Sequence, residues 1–139
     1  MEKFTDFWCF RLGAITRKIS REYNTRYQEY GITIGQSFVL FDLLDHDGDG
    51  VKDIAARIQL DSPAVTGLID RLSREGLVQR IEDPSDRRSV KILLTTKGRD
   101  LAAQILPIAQ EYNQHIKETI ESFDIPIFEK SLNHMEKNL

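Results

Sequence analysis

The stretch SPAVTGLIDRLSREGLVQRIEDPSDRR, residues 62–88, decides the fold of this 139-residue chain. Its first half places Val65, Leu68, Ile69 and Leu72 at i, i+3, i+4 and i+7, the one-sided apolar stripe of a short helix. Asp61 or Ser62 supplies the N-cap, and Pro63 is tolerated in the first turn because its missing N–H has no partner to lose there. Gly76 ends the helix. The second half changes period. Leu77–Glu82 and Ser89–Thr95 read as strands, and the charged, turn-forming segment Asp83–Arg88 joins them into a hairpin.

Upstream, Val51, Ile54, Ala55 and Ile58 repeat the same helical spacing, with a brief break at Gln59-Leu60-Asp61. Two short amphipathic helices joined by a few residues form a helix-turn-helix candidate. Before them lies the turn Asp47-Gly48-Asp49-Gly50, and before that a helix over Thr33–Asp45 whose Phe38, Val39, Leu40, Phe41, Leu43 and Leu44 leave it apolar almost all round. A helix with that pattern is expected to be largely buried.

Longer helices flank this centre. Phe7, Phe10, Leu12, Ile15, Ile19 and Tyr23 recur at roughly helical spacing until Gly31. After the hairpin, Leu101, Ile105, Ile108, Tyr112, Ile116 and Ile120 form one stripe of a helix expected over Thr96–Phe123, kinked at Pro107. A last short helix carries Phe128, Leu132 and Met135. The terminal helices hold more apolar surface than one small domain needs, so residues 1–30 and 100–139 are expected to build a homodimer around a central lobe, residues 33–98. The expected architecture is a single mostly α domain with a small β-hairpin wing.

Composition sets outer bounds. Hydrophobic content of 40% and charged content of 29% are ordinary for a globular protein, and no apolar run nears the roughly 20 residues of a membrane span. The start, Met1-Glu2-Lys3-Phe4-Thr5-Asp6, is too acidic for a secretory signal, and Cys9 as the lone cysteine suits a reducing compartment. A cytoplasmic protein without membrane partners is expected. No serine, cysteine or lysine has a neighbouring base, and no glycine-rich phosphate loop is present, so catalysis has no foothold and no cofactor is called for. His46, His115 and His134 lie too far apart for a metal site.

Charge is distributed unevenly. The whole chain carries −3, yet residues 52–99 hold ten lysines and arginines against seven acids, a local +3. That is a mildly basic middle in an acidic frame, suited to an anionic partner. The outer face of the 62–75 helix presents Ser62, Ala64, Thr66, Gly67, Asp70, Arg71 and Arg74. Small residues permit close approach to base edges, hydroxyls bond bases or phosphates, and the helix N-terminus favours phosphate. Arg87 and Arg88 adjoin at the hairpin and repel each other, so they have no core role. The negative potential of a minor groove is a natural destination for them, with Asp86 able to steer one guanidinium. Helix, turn, helix and basic hairpin in that order point to double-stranded DNA.

At these residues the chain resembles the MarR family of regulators. The matching run is Val51-x2-Ile54-Ala55-x2-Ile58, then Ser62-Pro63-Ala64-Val65-Thr66-Gly67-Leu68-Ile69-Asp70-Arg71-Leu72, Glu75-Gly76-Leu77-Val78-x-Arg80, Asp86-Arg87-Arg88 and Leu94-Thr95-x2-Gly98. The flanking helices agree in number and length, so the resemblance covers nearly the whole chain. It implies a triangular homodimer on a pseudo-palindromic operator, with Ser62, Ala64, Thr66 and Arg71 at the major groove and Arg87 or Arg88 in the minor groove. It also implies repression relieved by a small molecule or an oxidant. The effector is expected between the dimerisation helices and the DNA-binding lobe, where Phe10, Ala14, Phe38 and Phe41 could line a pocket or simply pack the core.

Two further patterns compete with plainer readings. Trp8-Cys9-Phe10-x-Leu12-x-Ala14 resembles the organic-hydroperoxide-sensing branch of the family, in which a cysteine early in the first helix is oxidised and tyrosines hold its thiolate. Tyr23 stands where one such tyrosine belongs, but the other position is Ile34, which donates no hydrogen bond. A cysteine between aromatics on an apolar face is more often plain core. Asp45-x-Asp47-x-Asp49-Gly50 copies the first half of a calcium loop, yet its twelfth position is Ala56 instead of glutamate. A winged helix that binds calcium or protein instead of DNA is the remote alternative.

Overall fold

The computed structural model describes the backbone of residues 1–139 and every side chain except those of Arg87 and Arg88. The chain divides into two compact units, Met1–Leu106 and Pro107–Leu139. The first contains a one-turn 3₁₀ helix at Phe4–Asp6, α1 (Trp8–Tyr27), a second 3₁₀ turn at Gln28–Tyr30, α2 (Ile34–Asp45), α3 (Val51–Ile58), α4 (Ser62–Arg74), β1 (Val78–Asp83) and β2 (Asp86–Leu94). Helix α5 (Thr96–Lys117) runs through Pro107, where the division between the units falls.

Helix α2 begins one residue later than expected, because Thr33 serves as its cap. The Thr33 hydroxyl accepts the Gln36 N–H at 3.4 Å, and the Gln36 side chain accepts the Thr33 N–H at 2.8 Å. This reciprocal box satisfies two groups that a helix start otherwise leaves unpaired. Val39, Leu40 and Leu43 are fully buried, but Phe38 is 43% exposed. The apolar circumference of α2 is therefore not all covered within one chain.

The core of this unit joins α2 to Ile54 and Ala55 of α3, Val65, Ile69 and Leu72 of α4, Val78, Ile92 and Leu94 of the hairpin, and Ala102 and Ile105 of α5. The stripes read from the sequence are the ones buried. Two charged pairs lock the periphery. Arg57 on α3 forks onto Asp42 on α2, and it also reaches Asp49. Asp70 on α4 pairs with Arg80 on β1.

Strands β1 and β2 pair antiparallel, with Val78 opposite Leu94 and Arg80 opposite Ile92. The connection is tighter than the six-residue loop expected. Only Pro84 and Ser85 lie between the strands. The Asp83 carboxylate accepts both the N–H and the hydroxyl of Ser85, at 2.9 and 2.7 Å, closing the turn from inside. The same bonds hold the Asp83 carboxyl below its ordinary pKa. Register steps from Glu82 opposite Val90 to Asp83 opposite Asp86, an irregularity of the kind that re-aims side chains. Arg87 and Arg88 thus belong to the start of β2 and not to the loop, while their side chains lie outside the described residues.

The joint between β2 and α5 is close-packed. A Cβ on Gly98 would stand 1.9 Å from the Leu77 carbonyl oxygen, so only glycine fits there. Thr95 caps α5 by accepting the Gly98 N–H at 3.0 Å, and its hydroxyl donates to the Gly76 carbonyl at 2.6 Å. The Lys97 ammonium donates to the Glu75 carbonyl at 2.8 Å. Carbonyls leaving the end of α4 are in this way satisfied by the first residues of α5.

The outer surface of the first unit is apolar near its start. Phe4, Phe7, Trp8, Phe10, Leu12 and Ile15 are all exposed, with Trp8 at 71% and the rings of Phe4 and Phe10 meeting edge to face.

The second unit comprises the remainder of α5, a 3₁₀ turn at Ser122–Asp124 and α6 (Ile125–Asn138). Helix α5 ends at Lys117 instead of continuing to Phe123. The Thr119 hydroxyl donates to the Ile116 carbonyl at 2.6 Å, and Glu121 takes an extended conformation. A hydroxyl that takes a helical carbonyl competes with continuation of the helix. Phe123, Ile127, Phe128 and Leu132 are exposed on this unit as well. Among the described residues, no helix is long and apolar enough to cross a membrane.

Candidate nucleic-acid interface

Helix α4 follows α3 after Gln59-Leu60-Asp61, and Gln59 turns the chain in a left-handed conformation with φ 58°. Asp61 proves to be the N-cap. Its carboxylate accepts the Ala64 N–H at 2.8 Å, so its charge is engaged at the positive end of α4. Ser62, Pro63, Ala64, Thr66 and Gly67 are exposed together on the first turns, opposite the buried Val65, Ile69 and Leu72.

Gly67 is the most informative of these residues. A Cβ built there meets no atom within 4 Å. A mid-helix glycine costs roughly 0.5–1 kcal/mol relative to alanine, and nothing inside the described structure requires it. A surface that must be approached closely from outside explains the choice.

Arg71 and Arg74 are exposed near the end of α4, where cations also suit the helix dipole. Asp70, expected as part of the outward polar face, is instead half-buried and paired with Arg80. That pair joins the helix that presents small residues to the strand that leads into the wing. Asp86 is exposed at the start of β2. The arrangement is a protruding helix with a small, hydroxylated leading edge, arginines behind it, and a hairpin held in fixed relation to it. Such a surface fits a groove and flanking phosphates.

The residues expected to line an effector pocket are not gathered around a cavity. Phe10 and Phe38 are exposed, and Ala14 and Phe41 are partly covered. An open cleft of about 930 Å³ lies elsewhere, lined by Tyr30, Arg74, Glu75, Thr96, Lys97 and Gln104 among others. Cys9 is exposed in the first turn of α1, which differs from the core packing that its aromatic neighbours suggest. Tyr23 stands 14 residues further along the same helix, about 21 Å along its axis at 1.5 Å per residue, so within one chain the two do not meet.

The acidic turn before α3 has structural partners. Asp47 accepts the Leu94 N–H at 2.8 Å and Arg99 at 3.1 Å, and Asp49 accepts Arg57 at 2.9 Å. Two of the three carboxylates that copy a calcium loop are thereby committed to protein groups. Among the described residues, no group of three or more histidine, cysteine or acidic side chains could hold a metal ion. Asp47 and Arg99 carry no periodic or motif signal, since the bonds span 47 residues to Leu94 and 52 to Arg99.

Comparison with known proteins agrees with this geometry. The sequence model of the MarR family matches residues 32–90. The chain is 33% identical over 129 residues to YsmB of Bacillus subtilis (strain 168), an uncharacterised HTH-type transcriptional regulator, covering 92% of this chain and 86% of that protein. It is 37% identical over 97 residues to the HTH-type transcriptional regulator TtmR of Methylorubrum extorquens (strain PA1), covering 70% of this chain and only 50% of that longer protein. Among solved structures, the S. aureus MepR–DNA complex superposes with a TM-score of 0.89 at 25% identity, over 96% of this chain and 98% of that one.

Proposed function

Because the chain belongs to the MarR family of winged helix-turn-helix transcriptional regulators, we propose that it works as a homodimeric repressor that binds a pseudo-palindromic operator in double-stranded DNA and leaves it when a small-molecule effector binds. The observation that carries this reading is the leading edge of α4, where Gly67 is left open and Ser62, Ala64 and Thr66 are exposed beside it. In this role α4 enters the major groove. Ser62, Pro63, Ala64, Thr66 and Gly67 approach the bases, Arg71 and Arg74 meet the backbone, and Arg87 or Arg88 enters the adjacent minor groove with Asp86 in support.

Dimerisation accounts for the exposed aromatic surface at the start of α1 and, separately, for that on α6. Soluble monomers rarely expose apolar patches of this kind. The setting proposed is the cytoplasm, with DNA, a second copy and an effector as partners.

The test is fluorescence anisotropy with a duplex from the upstream region of the gene against a scrambled duplex, across a salt series. Specific binding with a steep negative log–log salt slope is expected, because displaced counterions set that slope. Arg88→Ala should weaken operator binding by about 1–3 kcal/mol. No binding to either duplex at low salt would remove the DNA-binding reading for this chain.

A second reading has oxidation of Cys9 as the trigger for release, and the exposure of that thiol is what favours it. Any Cys9–Tyr23 pairing then requires two chains. An organic hydroperoxide should release wild-type protein from DNA but leave Cys9→Ser bound. Equal release of both would assign the trigger to another group.

A further inference from the structure

β2 has two edges. One pairs with β1, and the other faces the turn between α2 and α3. In an antiparallel strand, alternate residues aim their N–H groups at opposite edges. Ile92 and Leu94, two apart, both direct theirs at the turn. Ile92 exchanges a pair of backbone bonds with it, donating to the Asp49 carbonyl at 3.0 Å and accepting the Gly48 N–H at 2.9 Å. For Leu94 no backbone carbonyl serves. The acceptor is the Asp47 carboxylate, Oδ1 at 2.8 Å, and Leu94 is only 7% exposed. The other oxygen, Oδ2, takes Arg99 of α5 at 3.1 Å.

We propose that Asp47 is a positioning residue for DNA binding, which fixes the stem of the wing to the first turns of α5. Its carboxylate replaces the carbonyl of a third strand at the last rung of the wing and anchors α5 with the oxygen left over. Loss of the side chain leaves the Leu94 N–H without its acceptor and frees the wing stem from Arg99. The reach of the wing toward a minor groove then broadens, while α4 stays seated on its own core residues Val65, Ile69 and Leu72. This inference rests on the insertion of the wing into DNA proposed above.

The experiment compares wild type, Asp47→Ala and Asp47→Asn as full-length proteins on the same upstream duplex, by anisotropy over a salt series and by hydroxyl-radical footprinting. Asp47→Ala should bind about tenfold more weakly, the scale of a buried donor without its acceptor. Its salt slope should be shallower by about one for each phosphate that the wing no longer reaches. Its footprint should lose protection in the flanking minor groove and keep it at the major-groove half-site. A general loss of stability would lower the fraction folded without changing the footprint of the molecules that bind. Asp47→Asn keeps an oxygen for Leu94 and loses only the charge facing Arg99, so about threefold weakening is expected.

Wild-type affinity, slope and minor-groove protection in Asp47→Ala would overturn the proposal. If that variant does not fold by circular dichroism, an Asp47→Asn protein indistinguishable from wild type would overturn it instead. Absence of minor-groove protection in wild type itself would refute the wing–DNA reading, and the role of Asp47 with it.

Discussion

The guanidinium of Arg57 forks onto the carboxylate of Asp42, Nε to Oδ1 at 2.8 Å and Nη2 to Oδ2 at 2.9 Å, so that α3 is fastened to α2 by a two-bond clamp. The Asp42 side chain is only 8% exposed, and the third arm of the guanidinium holds Asp49 at 2.9 Å. These partners stabilise the charged arginine and push its pKa upward, chiefly through the Asp42 bond. Removing Asp42 leaves a half-covered cation with one carboxylate. Asp42→Ala is therefore expected to lower the melting temperature by several degrees, and Asp42→Asn by less, because an amide retains one acceptor. Equal melting temperatures for all three proteins would show that the clamp adds nothing to stability.

Gly67 separates stability from binding. Alanine at this position meets open space and improves helix propensity, so Gly67→Ala should stabilise the fold by roughly 0.5–1 kcal/mol in a denaturant titration. The added methyl stands where a base edge must approach, so operator affinity should fall by about tenfold. A variant that is more stable and binds DNA normally would show that the front of α4 does not come close to the bases.

The Asp70–Arg80 pair predicts the reverse combination. Both side chains are about two-fifths exposed, at 41% and 38%, and exposed pairs contribute roughly 0–1 kcal/mol to folding. Their value lies in relating α4 to β1. Asp70→Ala and Arg80→Ala should each change thermal stability little, weaken operator binding severalfold, and show coupling in the double mutant. Additive losses on DNA would mean the two residues act independently.

Tyr27 supplies a pH signature. Burial raises its phenol above the ordinary 10.0, and a hydrogen bond with Ser37 offsets part of the rise. In the folded chain the proton is held more tightly than in the unfolded one. The contribution of Tyr27 to stability is therefore complete below pH 10.0 and is lost as pH climbs from there through the folded value. Stability measured between neutral pH and about pH 11 should decline at the alkaline end. In Tyr27→Phe the decline should be shallower. An identical decline in both proteins would assign it to other groups.

Much of the DNA-binding lobe was legible because its signals are local. Val65, Ile69 and Leu72 announce the inner face of α4 by spacing alone, and Asp61 and Gly76 mark its ends. Periodicity is less informative where one side-chain bond settles the outcome. Asp83 closes a two-residue turn that composition suggested was longer, and the Thr119 hydroxyl takes a carbonyl that an uninterrupted α5 would have used. Phe38 was expected inside because α2 is apolar all round, yet pattern alone does not say whether the cover comes from the same chain. Asp47 was visible only as part of an acidic turn. Its partners are 47 and 52 residues away, beyond anything a window along the chain can register.

Trp8 is the only tryptophan in the chain, and its ring stands 71% exposed within the aromatic surface that opens α1. The protein therefore carries an intrinsic optical reporter at the place where a second copy is proposed to dock. A dilution series followed by tryptophan emission alone, with no dye and no substitution, should move from a blue, shielded spectrum to a red, hydrated one as copies separate. Because the lobe that meets DNA contains no tryptophan, the signal would follow self-association separately from operator binding, and one cuvette could distinguish an effector that splits the pair from one that only detaches it from DNA.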